Sequence, residues 1–342
     1  MSNVALEMHM PRTGDASVLV ARQVVLAPPG PGEARVRIEA AGVAFADIVM
    51  RRGFYPGVKA PVTPGYDFVG RIEALGAGVE GWQIGARVAA VTVTGGYADR
   101  RNVEAKWLVA APEGVAAEKL VVASLNGLTA WQMFHRLGGA QAGEFVLVHG
   151  AGGGVGAILL DLARVAGVTA IGTASPGKHS FVASKGAIPL DYRSSGIVDQ
   201  VLALSCGGVV AAFDHIGGKH LKTVSAASLR AGGNALLYGG YDATRDGRLN
   251  LGAMLDLALF GGVSSLGLFT RSIGVIGYNV TLWRDSRPAL YAQDLAAVFQ
   301  AVAGGQIDPP IGAVFSLEDA AEAQRTLESR AVTGKVVLKP RT

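Results

Sequence analysis

The feature that most constrains this chain is a cluster of five glycines between residues 150 and 156. The segment reads His149-Gly150-Ala151-Gly152-Gly153-Gly154-Val155-Gly156, directly after the apolar run Phe145–Val148 and at the start of a helical pattern, Val155–Val165. Glycines let the backbone approach a bound group closely, and a helix start offers free N–H groups and a positive dipole end to phosphates. Another strand-like run, Val168–Thr173, follows. This order predicts a dinucleotide-binding βαβ unit, with a packing turn as the alternative.

The end of the second strand indicates which dinucleotide binds. NAD-binding units carry an acidic residue about 20 residues after the glycines, where it holds the ribose 2′-hydroxyl. Here the sequence reads Thr173-Ala174-Ser175-Pro176-Gly177-Lys178, without an acid. An uncharged strand end followed by Ser175 and Lys178 suits a 2′-phosphate, so NADPH is favoured over NADH. A solvated lysine at a helix start is the alternative for Lys178.

The rest of the chain predicts two kinds of architecture. The first 125 residues or so carry short alternating or apolar segments separated by Gly and Pro, which is typical of a β-rich domain. From Ala116 onward, apolar runs alternate with helical patterns, which predicts an α/β fold with a doubly wound parallel sheet. Gly304–Gly305 ends the last long helix, and Gly312–Leu338 returns to a strand–helix–strand pattern.

Composition and charge exclude several classes of protein. With 342 residues, 50% hydrophobic and 17% charged, the chain is long and apolar enough for a large core. The net charge of +4 is mild and the basic residues are scattered, so no nucleic-acid partner is expected. Uncharged stretches fall short of the roughly 18 apolar residues of a membrane span, and no secretory signal is visible. A single cysteine, Cys206, excludes an internal disulfide, and we expect a cytoplasmic protein.

Further motifs carry a resemblance to a known family. With the glycine loop, the chain resembles the medium-chain dehydrogenase/reductase superfamily, in its quinone oxidoreductase (zeta-crystallin-like) branch. The motifs are Gly42–Asp47, Arg52–Pro56, Pro61–Gly70, Asn126–Ala130, Phe213–Gly217 and Leu327–Lys335. The resemblance implies a Rossmann domain inserted in a β-rich, GroES-like catalytic domain, with NADPH and substrate in the cleft. The expected bounds are 1–127 and 293–342 for the GroES-like domain and 128–292 for the Rossmann domain.

The same resemblance bears on metal use. Zinc-dependent alcohol dehydrogenases of this superfamily place a catalytic Cys where Ala44 stands and a His where Tyr66 stands, and they carry a four-cysteine loop that this chain lacks. Zinc needs three or four close N, S or O donors, and Ala44 offers none. His215 and His220 could pair elsewhere, but polar packing is the expected role. A zinc-independent member is therefore favoured over a zinc alcohol dehydrogenase.

Without a Lewis acid, reduction of a quinone or an α,β-unsaturated carbonyl is the reaction expected. Such a reaction needs hydride delivery and a donor for the resulting anion. Tyr55 matches a tyrosine that related enoyl reductases use as proton donor, although solvent could supply the proton while Tyr55 only lines the cleft. Relatives usually have Asn where Ala44 stands, which alters substrate positioning. A non-catalytic NADPH-binding protein is the alternative function.

The resemblance also implies the cofactor-binding residues and a partner. Thr129 matches a threonine near the nicotinamide, and Ile216 and Gly239 fall at strand ends that line the cofactor site. In NADPH-dependent relatives, the positions that surround the 2′-phosphate match or lie near Ser175, Lys178, Tyr192 and Arg330. The full set expected to bind NADPH is Asn126, Thr129, Gly152, Gly153, Gly154, Val155, Ser175, Lys178, Tyr192, Ile216, Gly239 and Arg330. The apolar segment Ser272–Val280 resembles an edge strand that pairs across a two-fold axis, which predicts a homodimer.

Overall fold

The chain forms two compact units in the computed structural model, which describes residues 3–240, 244–245, 248–249, 251–259 and 263–341. The first unit is Met1–Leu128 with Thr281–Thr342, and the second is Thr129–Val280. The strands are β1 Val4–His9, β2 Val20–Val25, β3 Glu33–Val43, β4 Asp67–Leu75, β5 Arg87–Val91, β6 Arg100–Glu104, β7 Val109–Ala110, β8 Phe145–His149, β9 Thr169–Ala174, β10 Ile188–Asp191, β11 Val209–Asp214, β12 Leu229–Leu237, β13 Thr244–Arg245, β14 Arg248–Leu249, β15 Gly274–Gly277, β16 Ile311–Ser316 and β17 Lys335–Lys339. The α-helices are α1 Phe45–Arg51, α2 Ala117–Val122, α3 Leu128–Gln132, α4 Gly154–Val165, α5 His179–Ser184, α6 Ile197–Leu204, α7 Gly218–His220, α8 Leu251–Ala258, α9 Ser265–Arg271, α10 Val280–Ser286, α11 Pro288–Ala303 and α12 Ala320–Glu328.

The first unit is built on a mixed sheet in the order β16-β17-β3-β4-β5-β7, with β6 also paired to β3. Strand β3 pairs with β4, β17 and β6. Its register against β4 shifts twice, between Arg35 and Val36 and between Ile38 and Ala40, and such bulges bend a strand. Alternate residues of these strands fill one core, in which Phe68 and Val88 are fully buried. The β-rich first part predicted from the sequence is confirmed.

The second unit contains a six-stranded parallel sheet in the order β10-β9-β8-β11-β12-β15. The chain runs outward from β8 to β10 and then crosses to β11 on the other side of β8. The order of the strands therefore reverses between β8 and β11, where folds of this type bind ligands at the carboxyl ends of the strands. Val146, Leu147 and Val148 of β8 are fully buried, as expected for a strand covered on both faces. The predicted doubly wound sheet is confirmed.

The chain returns to the first unit earlier than the sequence predicts. The predicted return near residue 293 falls inside α11, whereas the second unit ends at Val280. Helices α10 and α11 both attach to the first unit, because Arg284 donates to the carbonyl of Val91, and the hydroxyl of Tyr291 accepts from the amide of Val91 at 3.2 Å. Among the described residues, no helix combines the length and the apolar character needed to cross a membrane.

Candidate active site

The glycine cluster forms a tight loop between β8 and α4. Gly150 has φ +66°, a conformation that favours glycine, and the amide of Ala151 ties the loop to β9 by donating to the carbonyl of Thr173 at 3.0 Å. A Cβ on Gly156 would lie 2.3 Å from the Gly150 carbonyl oxygen, so only glycine lets the helix start this close to the loop. The first-turn amides of α4 have no acceptor within the helix and point out of its N-terminus. The loop therefore has the geometry of an anion cradle.

Lys178 lies beside this cradle, and the cofactor roles predicted for Lys178 and Ser175 stay predictions. Ser175 follows β9 directly and precedes a short 3₁₀ turn, Pro176–Lys178. A Cβ on Gly152 would meet the Cδ of Lys178 at 2.7 Å, so the aliphatic part of the lysine packs on the glycine loop. Burial lowers the pKa of the Lys178 ammonium. The structure thus places a basic side chain next to the cradle.

Other predicted cofactor residues follow the neighbouring strands of the same sheet. Tyr192 comes directly after β10, and its ring is exposed below the guanidinium of Arg193. Ile216 follows β11, and its amide donates to the carboxylate of Asp214 at 2.7 Å. Gly239 follows β12, where a Cβ would lie 2.5 Å from the carbonyl oxygen of His215. Because parallel strands end at one edge, these residues share the edge that carries the glycine loop.

The remaining predicted cofactor residues lie elsewhere in the fold. Asn126 is half-buried within a wide π-helical turn, Ala123–Gly127, in the first unit. Thr129 is buried in α3, at the start of the second unit. Arg330 is exposed in the first unit, after α12, with a left-handed φ of +61°. The cofactor roles of all three stay predictions.

In the first unit, Tyr55 belongs to a chain of three hydroxyl groups. Its hydroxyl lies 2.8 Å from that of Tyr66, which in turn lies 2.5 Å from Oγ1 of Thr281. The two rings meet edge to face, with centroids 6.2 Å apart. Tyr66 is buried, and burial raises the pKa of its phenol well above the usual range. Tyr66 therefore stays protonated and can donate to Tyr55.

Asp47 shapes the backbone around this hydroxyl chain. Its carboxylate is fully buried and accepts from the amides of Ala44 at 2.8 Å and Gly65 at 3.2 Å, and from the hydroxyl of Tyr97 at 3.1 Å. Burial raises the pKa of Asp47 to about 7. One carboxyl group thus ties the start of α1 to the turn that precedes Tyr66.

Sequence reasoning missed Tyr66, Thr281 and Asp47 as parts of a candidate site. In the sequence, Tyr66 stands out only as a position that lacks a zinc ligand, and Thr281 lies 215 residues away from Tyr66 along the chain. The available signal was the Pro64-Gly65-Tyr66 turn near Tyr55, since a tyrosine in place of a histidine keeps a hydrogen-bonding group there. A methyl group at Ala44 and a phenol at Tyr66 do not fit a catalytic zinc ion at these two positions.

A glycine cradle at the switch point of a parallel sheet, together with a separate β-rich unit, defines the class of two-domain dehydrogenases and reductases. Residues 30–130 match the alcohol dehydrogenase GroES-like domain, and residues 186–338 match the zinc-binding dehydrogenase family. The chain is 31% identical to the synaptic vesicle membrane protein VAT-1 homolog of the rat, over 95% of this chain and 81% of that protein. It is also 31% identical to a quinone oxidoreductase of Pseudomonas aeruginosa, over 96% of this chain and 97% of that one.

A solved structure agrees with these matches. Escherichia coli quinone oxidoreductase in complex with NADPH superposes with a TM-score of 0.86 at 25% identity, covering 98% of this chain and all of that one. The chain belongs to the medium-chain dehydrogenase/reductase superfamily, in the quinone oxidoreductase branch. The resemblance inferred from the sequence motifs is confirmed.

Proposed function

We propose that this protein is an NADPH-dependent oxidoreductase that reduces quinones or α,β-unsaturated carbonyls by hydride transfer without zinc. The observation that carries the proposal is the hydroxyl chain from Tyr55 through Tyr66 to Thr281. It places proton donors where the zinc enzymes of the superfamily place a metal ligand. The quinone oxidoreductases among the relatives support the same reaction class.

The residues of the second unit fit NADPH. The amides at the start of α4 suit the pyrophosphate. Cβ atoms on Gly152 or Gly156 would collide with the Lys178 side chain or the Gly150 carbonyl, so the loop keeps this shape only with glycines. No acid stands at the end of β9, and Lys178 supplies positive charge for a 2′-phosphate. Escherichia coli quinone oxidoreductase was solved with NADPH, which supports this choice of cofactor.

NADPH supplies the hydride when bound, and the chain's own residues donate the proton. Reduction of an enone at its β-carbon leaves an enolate, whose α-carbon takes the proton of the Tyr55 hydroxyl. The Tyr66 hydroxyl, oriented by Thr281, donates a hydrogen bond that stabilises the resulting Tyr55 phenolate, and water returns the proton to Tyr55. Tyr66 and Thr281 are positioning residues in this scheme, since they act through Tyr55. A quinone yields a hydroquinone anion that is stable enough to take its proton from water.

A panel assay tests the proposal. NADPH consumption is measured with several quinones and enones, and NADPH affinity is measured by fluorescence titration. Turnover with either acceptor class supports the enzyme. Tight NADPH binding without turnover favours the alternative, a non-catalytic NADPH-binding protein. The VAT-1 relatives and Ala44 are the reasons for testing this alternative. Oxidation of alcohols that a chelator abolishes while NADPH affinity persists would instead indicate a catalytic zinc ion.

We also propose that the protein forms a homodimer through β15. This strand ends the parallel sheet among the described residues, within the segment Ser272–Val280 that the sequence singles out. The helix before it, α9, exposes Leu266 (70%) and Phe269 (84%). An isologous contact would pair the open edge of β15 and cover these side chains.

A further inference from the structure

Three side chains of the second unit converge although the proposed reaction does not use them. His149 ends β8, Asp214 ends β11 and His220 ends the short helix α7. One ligand atom from each of the three lies within 4.8 Å of the others. The imidazole rings of His149 and His220 meet edge to face at 4.5 Å between centroids. The sequence predicts polar packing for His220 and carries no signal that joins it to the other two.

His149 has a ring nitrogen that finds no hydrogen-bond partner among the described residues. The residue is completely buried, and its Nδ1 lies 3.1 Å from Oγ1 of Thr173. Its Nε2 is buried and makes no hydrogen bond within the part of the chain that the structure describes. Leaving a buried polar atom unsatisfied is costly, so such an atom calls for an explanation. When Nδ1 carries the proton and donates to Thr173, Nε2 presents a lone pair, which is the arrangement that metal-binding histidines adopt.

The carboxylate of Asp214 is held in a fixed orientation and faces the same place. Its Oδ1 accepts from the amides of Ile216 at 2.7 Å and Gly217 at 2.9 Å. Its Oδ2 accepts from the hydroxyl of Ser225 at 2.5 Å and lies 2.9 Å from Nδ1 of His220. These contacts hold a charged group rigidly inside the fold, next to the unpartnered nitrogen.

We propose that His149, Asp214 and His220 bind one divalent transition-metal ion of the zinc type. Two imidazoles and a carboxylate suit Zn²⁺ or Co²⁺ rather than Mg²⁺ or Ca²⁺, which prefer oxygen ligands. Bonds of about 2.0–2.2 Å place two ligand atoms of one ion about 3.0–3.5 Å apart. The ligand atoms here lie within 4.8 Å of one another, so small side-chain rotations bring them to that spacing. The His220 side chain is 22% exposed, which gives an ion a route from solvent.

The ion would fasten the loop of the proposed cofactor site rather than catalyse. His149 directly precedes Gly150, so a metal bond to its ring joins the start of the glycine loop to β11 and α7. All ligands belong to the second unit, whereas Ala44 and Tyr66 belong to the first. The site is therefore distinct from the proposed proton donors and can be tested without turnover.

Metal titration of the chelator-stripped protein tests the site. Wild type is expected to take up one Co²⁺ per chain, with visible ligand-field bands and a raised melting temperature, and Zn²⁺ should displace the cobalt. His220→Gln should weaken binding by more than about 100-fold. The matched control is His179→Gln in the same unit, whose ring faces the carbonyl of Ala174 and which should bind like wild type.

A second measurement needs no variant. Paramagnetic Co²⁺ should shift or broaden the imidazole NMR signals of His149 and His220 at one equivalent and leave that of His179 nearly unchanged. Absence of stoichiometric uptake, equal affinity in wild type and His220→Gln, or perturbation of His179 alone would each overturn the proposal.

Discussion

At the scale of single residues, the hydroxyl of Tyr55 is the group most open to a direct test. Tyr55→Phe keeps the ring that packs edge to face on Tyr66 and removes only the oxygen that lies 2.8 Å from the Tyr66 hydroxyl. A positioned acid contributes about 100- to 10,000-fold, so kcat with enones should fall within that range. Quinone turnover should change little, because water protonates the hydroquinone anion.

Steady-state kcat for both acceptor classes checks this expectation, and NADPH affinity serves as the control for folding. Tyr66→Phe removes the second hydroxyl and should give a smaller loss with enones, together with an altered pH profile. Unchanged enone turnover in Tyr55→Phe would mean that solvent supplies the proton and that Tyr55 only lines the site.

The choice of NADPH over NADH is also a property of individual residues. Lys178 packs on the glycine loop, and Arg330 is the second positive charge expected at the 2′-phosphate. A charge-assisted hydrogen bond contributes about 1.5–3 kcal/mol, so each Ala substitution should weaken NADPH binding by about 10- to 150-fold. NADH affinity should hardly change. Fluorescence titration with both cofactors measures the ratio, and exposed Lys222→Ala is the control. Equal losses for NADPH and NADH would contradict the phosphate role.

Asp47 gives a pH dependence whose sign follows from its burial. Because its pKa rises to about 7 in the folded protein, the folded state holds this proton more tightly than the unfolded chain does. The contribution of Asp47 to stability is therefore fullest at low pH and is lost as the pH rises toward 7. The difference in unfolding free energy between wild type and Asp47→Asn should fall by at most about 1.4 kcal/mol per pH unit between pH 4 and 7. Denaturant melts across this range measure it, and a constant or rising difference would refute the assignment.

At the scale of secondary-structure elements, one buried ion pair joins β4 and β17. Lys335 Nζ lies 2.6 and 2.9 Å from the carboxylate oxygens of Asp67, which also accepts from the amide of Leu125 at 3.2 Å. The pair thereby fixes the wide turn that carries Asn126. Removing one partner leaves a buried charge uncompensated, so Lys335→Met should cost about 3–5 kcal/mol of stability.

A double variant separates charge from packing. Asp67→Leu with Lys335→Met removes both charges, and it should be more stable than Lys335→Met alone because no charge stays buried. Chemical denaturation of wild type, Asp67→Leu, Lys335→Met and the double variant gives the comparison. If the double variant loses as much unfolding free energy as the two single variants together, the ion pair itself stabilises the contact between the strands.

Elements defined by local pattern could be predicted from the sequence. Strand β8 and helix α4 lie where apolar periodicity and the glycine cluster predict them, and α11 ends at the predicted Gly304. Strand β10 was missed because it is only four residues long and includes Pro189, which is rare inside strands. Its residues are also only partly buried, so the strand has no long apolar run. Contacts between distant segments carry no local signal either, which is why the Tyr66–Thr281 contact and the His149–Asp214–His220 cluster emerged only from the fold.

At the scale of the whole molecule, the open edge of the parallel sheet bears on assembly. Strand β15 pairs with β12 on one side only among the described residues, and the exposed Leu266 and Phe269 on α9 precede it. Unpaired strand edges with apolar neighbours tend toward uncontrolled pairing unless a defined partner covers them. In the proposed dimer, a second copy related by a two-fold axis would cover both at once, since each chain offers the same surface to the other.

We therefore expect a dimer at micromolar concentration in sedimentation velocity. Leu266→Lys with Phe269→Lys places two charges in the proposed contact and should shift the protein to monomer while leaving its circular dichroism spectrum intact. Val165→Lys, at an exposed apolar position at the end of α4, introduces the same charge elsewhere on the second unit and should leave the dimer in place. A monomeric wild type would rule out the assembly. A dimer that survives the double variant but dissociates in Val165→Lys would move the interface to another face of the second unit.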